Sequence, residues 1–236
     1  MTAISFFAIQ HVISAGFFYF YRLMKDIQNI IWDWNGTLIN DVEICIETLN
    51  VLLEQREMPA IRTDHYKNHF TFPVRLFYEK IGFNFTNESF KVVSEEYIST
   101  YLELFRKATL YKNSIDTLKF FKRRGLVQFV LSAMEYPDLM NSIYHKGIKH
   151  YFKSIYGSSD KFAEGKLTVA ERLFEKEKII PEDTLLIGDT LHDWEVATKM
   201  GCQVVLIADG HQTRQRLSES KALLLDHMSD VINLFM

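Results

Sequence analysis

The stretch IIWDWNGT at residues 30–37 indicates which fold to expect for this chain of 236 residues. Its first three residues are apolar, and the polar and glycine-containing sequence that follows is typical of a tight loop. A short apolar run that ends so abruptly predicts a buried β-strand. Asp33 would then lie at the carboxyl end of that strand.

Strand and helix patterns alternate in the second half of the chain. The pattern predicts, in order, a helix from about Ser114 to Lys122, a strand from Val127 to Ser132, a strand at 152–156, a helix from about Leu167 to Lys178, a strand from Thr184 to Ile187, a helix from Asp193 to Met200 and a strand from Gln203 to Ile207. Such alternation favours a parallel sheet flanked by helices. We therefore expect an α/β fold with a Rossmann-like parallel sheet as its core.

The apolar spacing between residues 41 and 105 is helical throughout. This block separates the first strand from the remaining α/β pattern, and no Gly/Pro-rich linker marks a domain boundary. We expect residues 41–105 to form an all-helical cap inserted into a core made of residues 24–40 and 106–236. In open α/β sheets ligands bind at the carboxyl edge, where such a cap would lie.

The composition is that of an ordinary globular protein, with 47% apolar and 24% charged residues. The net charge of −3 provides no general attraction for a nucleic acid, so a small-molecule partner fits better. Cys45 and Cys202 are too few for a disulfide framework, which favours a reducing, cytoplasmic location. A monomer and a homodimer are equally compatible with these features.

The first 23 residues differ from the rest, because no charge occurs from Thr2 to Tyr21 and aromatic side chains are frequent there. The segment lacks the basic start of a secretory signal, and several polar residues weaken it as a membrane span. We favour Met24 as the true start of the protein. The alternatives are a membrane anchor and a helix that packs on the folded domain.

Four short segments place polar residues where predicted strands end or helices begin. They are Asp33 in DWNGT, Ser132 in VLSA, Lys166 in EGKLT, and Asp189 with Asp193 in IGDTLHD. In order and spacing these segments resemble the four motifs of haloacid dehalogenase (HAD) superfamily phosphatases. The resemblance extends from Met24 to the C-terminus, and four motifs in order are far more specific than any one.

The resemblance implies a role for each of these residues. Asp33 would be the nucleophile that forms an aspartyl-phosphate. Mg²⁺ would be held by Asp33, the backbone carbonyl of Asn35, Asp189 and Asp193. The substrate phosphate would be bound by Thr37, Ser132 and Lys166. Lys161, five residues before Lys166, is the alternative for the lysine.

The sequence departs from the family pattern at Asn35. Family phosphatases carry there an Asp that serves as general acid and base, and an amide cannot exchange protons in this way. Three explanations stay open at this stage. The leaving group is acidic or another side chain such as His192 supplies the proton; the enzyme is instead a phosphonate hydrolase; or the protein binds a phosphorylated ligand with little or no turnover.

A helical cap in this position most resembles phosphoglycolate phosphatase-like members, which implies a small phosphorylated metabolite as substrate. Within the cap, the aromatic turn at 70–74 and Arg75 are candidates for a surface over the phosphate, although packing explains the Phe residues equally well. His211 has no clear assignment from sequence, and we leave it outside the predicted site.

Overall fold

The computed structural model describes residues 24, 26–159 and 165–236. The segment 1–23 and Lys161, both subjects of sequence-based predictions, lie outside the described residues. Among the helices that are described, none is both long and apolar enough to cross a membrane.

The core is a six-stranded sheet in which all neighbouring strands are parallel. Its strands are β1 (Asn29–Trp32), β4 (Val127–Glu135), β5 (Ser154–Ser158), β6 (Thr184–Gly188), β7 (Gln203–Ile207) and β8 (Leu223–Leu225). Their order across the sheet is β5-β4-β1-β6-β7-β8. This arrangement confirms the predicted α/β fold and places the strand that precedes Asp33 in the middle of the sheet.

Helices cover both faces of the sheet. The core helices are α5 (Ser114–Arg123), α6 (Tyr136–His145), α7 (Lys166–Glu177), α8 (Leu191–Met200) and the short α9 (Arg214–Leu217). Alternate residues of β1 face opposite sides, so Ile30 and Trp32 pack in one apolar cluster with α5 and α6, whereas Ile31 packs in another with α7 and α8. Burial on both faces explains why residues 30–32 are uniformly apolar.

Four helices fill the region between β1 and α5. They are α1 (Val42–Glu54), α2 (Thr63–His69), α3 (Val74–Lys80) and α4 (Phe90–Phe105), and α1 packs against α4. A two-stranded antiparallel ribbon joins the start and the end of this region, formed by β2 (Ile39–Asn40) and β3 (Thr109–Leu110). The helices lie within the range 41–105 that the sequence predicts to be helical, and we call this range the helical insert.

Two element boundaries near the functional segments differ from the predicted ones by two residues or more. β4 continues to Glu135 instead of ending at Ser132, but its pairing with β5 is irregular between Leu131 and Glu135. Ser132 therefore follows the last regular part of the strand. Helix α8 begins at Leu191, two residues before the predicted start at Asp193, because Thr190 and Asp193 form a capping box there.

Candidate active site

Two aspartates meet at the carboxyl edge of the sheet because their strands are neighbours. Asp33 directly follows β1, Asp189 directly follows β6, and Trp32 pairs with Ile187 across these strands. The Asp33 backbone N–H donates a hydrogen bond to the Ile187 carbonyl at 2.9 Å. The sheet register thus fixes both carboxylates at one edge.

Asp193 completes a buried acidic cluster with Asp33 and Asp189. One carboxylate oxygen from each residue lies within 4.8 Å of the others, and the three residues are 6% exposed or less. Carboxylate oxygens in this number and spacing are the donors that a hard divalent cation such as Mg²⁺ prefers. The residues present therefore fit a magnesium site.

Lys166 is the cation that the structure places against this cluster. It is the first residue of α7, it is buried, and its ammonium group donates to the carboxylates of Asp33 and Asp193. One ammonium group beside three carboxylates leaves an excess of negative charge. This geometry supports Lys166 as the lysine of the predicted phosphate site, the role for which Lys161 was the alternative.

The pKa values in the cluster reflect burial and this excess of negative charge. Burial raises the pKa of Asp33 and raises that of Asp189 to about 6, and the neighbouring carboxylates act in the same direction. Burial also acts to raise the pKa of Asp193, but the Lys166 ammonium group and the Thr190 hydroxyl outweigh it and lower this pKa. Additional positive charge at the cluster would favour the ionised form of every carboxyl group.

Asp193 is held by the start of α8. Its Oδ2 accepts hydrogen bonds from the Thr190 backbone N–H at 3.0 Å and from the Thr190 hydroxyl at 2.6 Å. Oδ1 of the same carboxylate accepts from Lys166. Helix capping and placement in the cluster are therefore compatible roles of one side chain.

Asp189 is fixed through both of its carboxylate oxygens. The Thr37 hydroxyl donates to Oδ1 at 3.1 Å, and the His211 backbone N–H donates to Oδ2 at 2.6 Å. Gly36, with φ +73°, and Gly210 approach so closely that a Cβ atom at either position would overlap the Asp189 side chain. Thr37, predicted to bind substrate, contacts Asp189 in this arrangement.

Ser132 lies at the same edge of the sheet. It is 1% exposed, its Oγ accepts a hydrogen bond from the Met134 backbone N–H at 3.0 Å, and it lines a cavity that also contains Asp33 and Lys166. The structure therefore places Ser132, which we predict to bind the substrate phosphate, beside the acidic cluster.

The Asn35 side chain takes part in a partly buried hydrogen-bond network. Its Nδ2 atom donates to Asp41 Oδ2 and to the Tyr101 hydroxyl, both at 2.8 Å. Asp41 also accepts from the Gly36 backbone N–H at 2.9 Å and from Tyr101 at 2.7 Å. An Asp at position 35 would place two carboxylates against each other, so the amide suits this environment.

His211 lies beside the cluster, although sequence reasoning left it outside the site. Its Nε2 is 3.4 Å from Asp41 Oδ1, and its Nδ1 is 2.9 Å from the Tyr66 hydroxyl. Burial acts to lower the pKa of His211, but the Asp41 carboxylate outweighs this effect and raises it to about 9. Asp41, His211, Tyr66 and Tyr101 are thus polar neighbours that the sequence did not reveal.

The three residues Asp41, Cys45 and His211 also lie close enough to hold a metal ion. Their atoms already bond to protein groups: Cys45 Sγ lies 3.5 Å from Asp41, whose carboxylate accepts the bonds described above. Burial raises the pKa of the Cys45 thiol well above its usual value, which opposes formation of the thiolate ligand. The aspartate cluster is therefore the better fit for a divalent metal ion.

The acidic cluster opens into a cavity of about 290 Å³ between the core and the helical insert. A larger groove of about 660 Å³ runs along β5 and contains none of the seven predicted site residues. His192 lines the smaller cavity, where it stacks on Phe72 with ring centroids 4.8 Å apart. Arg75 does not line it; it pairs with Glu79 on the exposed side of α3.

The known proteins that resemble this chain include a 5'-nucleotidase and a phosphoglycolate phosphatase. The chain is 25% identical to a 5'-nucleotidase of Pseudomonas aeruginosa over 199 residues, which cover 80% of this chain and 86% of that protein. It is also 25% identical to phosphoglycolate phosphatase 1 of the same organism over 151 residues, 59% of this chain and 55% of that protein.

Solved structures of haloacid dehalogenase-like proteins share the fold of this chain. A haloacid dehalogenase-like family hydrolase from Streptococcus pneumoniae superposes with a TM-score of 0.69 at 21% identity, covering 90% of this chain and all of that one. The sequence profile of the haloacid dehalogenase-like hydrolases matches residues 30–207, which is more than half of the chain. The protein is therefore a hydrolase that belongs to the haloacid dehalogenase-like family.

Proposed function

We propose that this hydrolase is a Mg²⁺-dependent phosphatase that transfers the phosphoryl group of a small phosphate monoester to Asp33 and then to water. The observation that carries this proposal is the convergence of Asp33, Asp189, Asp193 and Lys166 within one buried cluster. Phosphoryl transfer needs a positioned nucleophile and positive charge around the equatorial oxygens. Asp33 would be the nucleophile, and Lys166 together with a Mg²⁺ ion held by the carboxylates would provide the positive charge.

Each side chain has a defined part in the proposed reaction. A carboxylate oxygen of Asp33 attacks phosphorus in line with the leaving oxygen, which departs with the electron pair of the broken P–O bond. Lys166 neutralises charge on the phosphoryl oxygens, and the Ser132 hydroxyl donates a hydrogen bond to one of them. Water then attacks the phosphorus atom of the aspartyl-phosphate, the P–O bond to Asp33 breaks, and its electron pair restores the carboxylate. The proton that the water loses balances the one that the departed leaving oxygen takes up.

The carboxylates of Asp33, Asp189 and Asp193, with the backbone carbonyl of Asn35, are the groups that would hold Mg²⁺. The ion would reduce the repulsion between the nucleophile and the phosphate dianion. Thr37 and the His211 backbone N–H keep Asp189 oriented for this purpose.

We infer that the helical insert acts as a cap over this site. Insert and core side chains line the same cavity, and direct hydrogen bonds join the two parts. Gln212 Nε2 donates to the Phe70 carbonyl at 3.0 Å, and Tyr66 bonds to His211. A cap closed in this way would exclude bulk water from the aspartyl-phosphate.

The described residues give less support to a phosphonate hydrolase, whereas a measurement of activity is needed to separate the other alternative, a binding protein without turnover. A phosphonate hydrolase would need a free lysine for a Schiff base, but Lys166 is the only described lysine that lines the cavity and it binds two carboxylates. A protein that binds a phosphorylated ligand without turnover would share the cluster. A screen of metabolite phosphates with Mg²⁺ separates it from an enzyme, because only the enzyme releases phosphate.

We expect Asn35→Asp to increase the turnover of alkyl phosphates, whose leaving groups need a proton. A general acid contributes a factor of about 10² to 10⁴. We expect a smaller gain, of at least about tenfold, because the neighbouring Asp41 carboxylate shifts the pKa of the new carboxyl group. Steady-state turnover of an alkyl phosphate with Mg²⁺ measures the effect. Asn40→Asp, an exposed change of the same kind, is the matched control.

The double variant Asn35→Asp/Asp41→Asn tests whether the contact with Asp41 is the reason that the gain is smaller. It keeps one amide and one carboxylate at the 2.8 Å contact and should therefore exceed the single variant in thermal stability. If neither variant gains turnover over the wild type, position 35 does not limit the rate and the proton comes from another group, for which His192 is the candidate in the cavity.

A further inference from the structure

The wall of the catalytic cavity that faces the acidic cluster is apolar and aromatic. It is contributed mainly by the helical insert, and its members include Leu49, Phe72, Phe77, Tyr97, Ile98 and Leu102. This wall begins directly at the site, because the Asn35 amide bonds to Tyr101, whose ring stacks on Tyr97 with centroids 5.8 Å apart. A leaving group attached to a phosphoryl group at Asp33 would extend into the cavity that this wall lines.

No described lysine or arginine of the helical insert lines the cavity. Arg56 is engaged with Glu88 and Glu96, each at 2.6 Å, and Arg75 with Glu79 at 3.0 Å. The acidic groups that line it beyond the cluster include Asp41, Glu135 and Asp138. His211 also lines it, and its pKa of about 9 favours the cation, but its Nε2 lies 3.4 Å from Asp41 and its Nδ1 lies 2.9 Å from the Tyr66 hydroxyl. A carboxylate on the leaving group would lose hydration here and would meet a His211 side chain that is already paired with Asp41.

We propose that the substrate's leaving group is uncharged and apolar and carries a ring. This inference rests on the proposed function and narrows its substrate class. An apolar cavity of about 150 Å³ can hold benzene, so about 290 Å³ accommodates one ring beside the phosphoryl group. The wall thus selects against the carboxylate-bearing leaving group that a resemblance to phosphoglycolate phosphatases alone would suggest.

Binding of two non-hydrolysable phosphonates tests the inference without requiring turnover. Benzylphosphonate presents a ring beside the phosphonate group, whereas phosphonoacetate presents a carboxylate. By calorimetry with Mg²⁺, we expect the wild-type protein to bind benzylphosphonate at least about tenfold more tightly, since burial of a few carbon atoms accounts for a factor of this size. Equal or tighter binding of phosphonoacetate, or binding of neither compound, would overturn the inference.

Turnover separates a failure of this inference from a failure of the proposed function. Benzyl phosphate and phosphoglycolate both have an alkoxide as leaving group, so a difference in their kcat/KM reports on the cavity rather than on leaving-group acidity. Preferred turnover of phosphoglycolate would refute the ring preference and leave the phosphatase intact. Selective binding of benzylphosphonate without turnover of any phosphate ester would refute the proposed phosphatase activity and support the ring preference.

A cation placed in the wall should weaken the selectivity. Ile98→Arg puts a guanidinium group in the cavity, and we expect it to reduce the preference for benzylphosphonate over phosphonoacetate at least about tenfold. Ser99→Arg adds the same charge at the next, exposed position of α4 and should leave the preference unchanged. Equal effects of the two variants would show that the wall does not determine the preference.

Discussion

Replacing Asp33 with Asn should reduce turnover by at least about 10⁴, the effect expected when the nucleophile of a covalent mechanism is removed. The amide has the shape of the carboxylate but cannot form the acyl phosphate. The fold should persist, because the change removes one negative charge from a cluster that has only one ammonium group in contact with it. Phosphate release with Mg²⁺ and the thermal unfolding midpoint measure the two effects.

Asp116→Asn is the matched control for this variant. Asp116 lies on α5 in an exposed ion pair with Lys119, outside the cavity, so its loss should not change turnover. Substantial residual activity in folded Asp33→Asn would exclude Asp33 as the covalent nucleophile.

Replacing Lys166 with Met should reduce kcat by about 10² to 10³, the effect of removing one group that stabilises transition-state charge. It should also destabilise the fold at neutral pH, because three buried carboxylates would lose the ammonium group that contacts two of them. Since Mg²⁺ binds the same carboxylates in our proposal, its addition should raise the unfolding midpoint of the variant more than that of the wild type.

Lys176→Met provides the control in the same helix. Lys176 is exposed near the far end of α7 and does not line the catalytic cavity, so neither kcat nor the response to Mg²⁺ should change. If Lys166→Met is as active as the wild type, the ammonium group does not act on the phosphoryl group. If Mg²⁺ leaves its stability unchanged, the acidic cluster does not bind the ion.

The sheet and the acidic cluster could be predicted from sequence because each depends on a local pattern. Residues 30–32 are apolar on both faces of a central strand, and the polar residue after them marks the strand end. Parallel strands share a carboxyl edge, and the resemblance to HAD phosphatases implies that the strands before Asp33 and Asp189 are neighbours there. The end of β4 at Glu135 could not be predicted, because Ser132 is separated from the regular part of the strand by a break in its pairing with β5 and not by a change of residue type.

The network around Asn35 could not be predicted because it depends on contacts between distant segments. Asp41 precedes α1 and has the residue type of a helix cap, yet its side chain makes no capping bond and instead binds Asn35, Gly36 and Tyr101. His211 follows a strand and a glycine, a context equally common in ordinary loops. Only the packing of the insert on the core shows that both residues adjoin the acidic cluster.

The central claim is that Asp33 carries the phosphoryl group during turnover. Rapid acid quenching of the enzyme with its best substrate and Mg²⁺, followed by mass spectrometry of the peptide containing residues 30–37, tests this claim directly. We predict a mass increase of one phosphoryl group on Asp33 that is absent with chelator and absent in Asp33→Asn. Rapid turnover with the phosphoryl group found on another residue would contradict it.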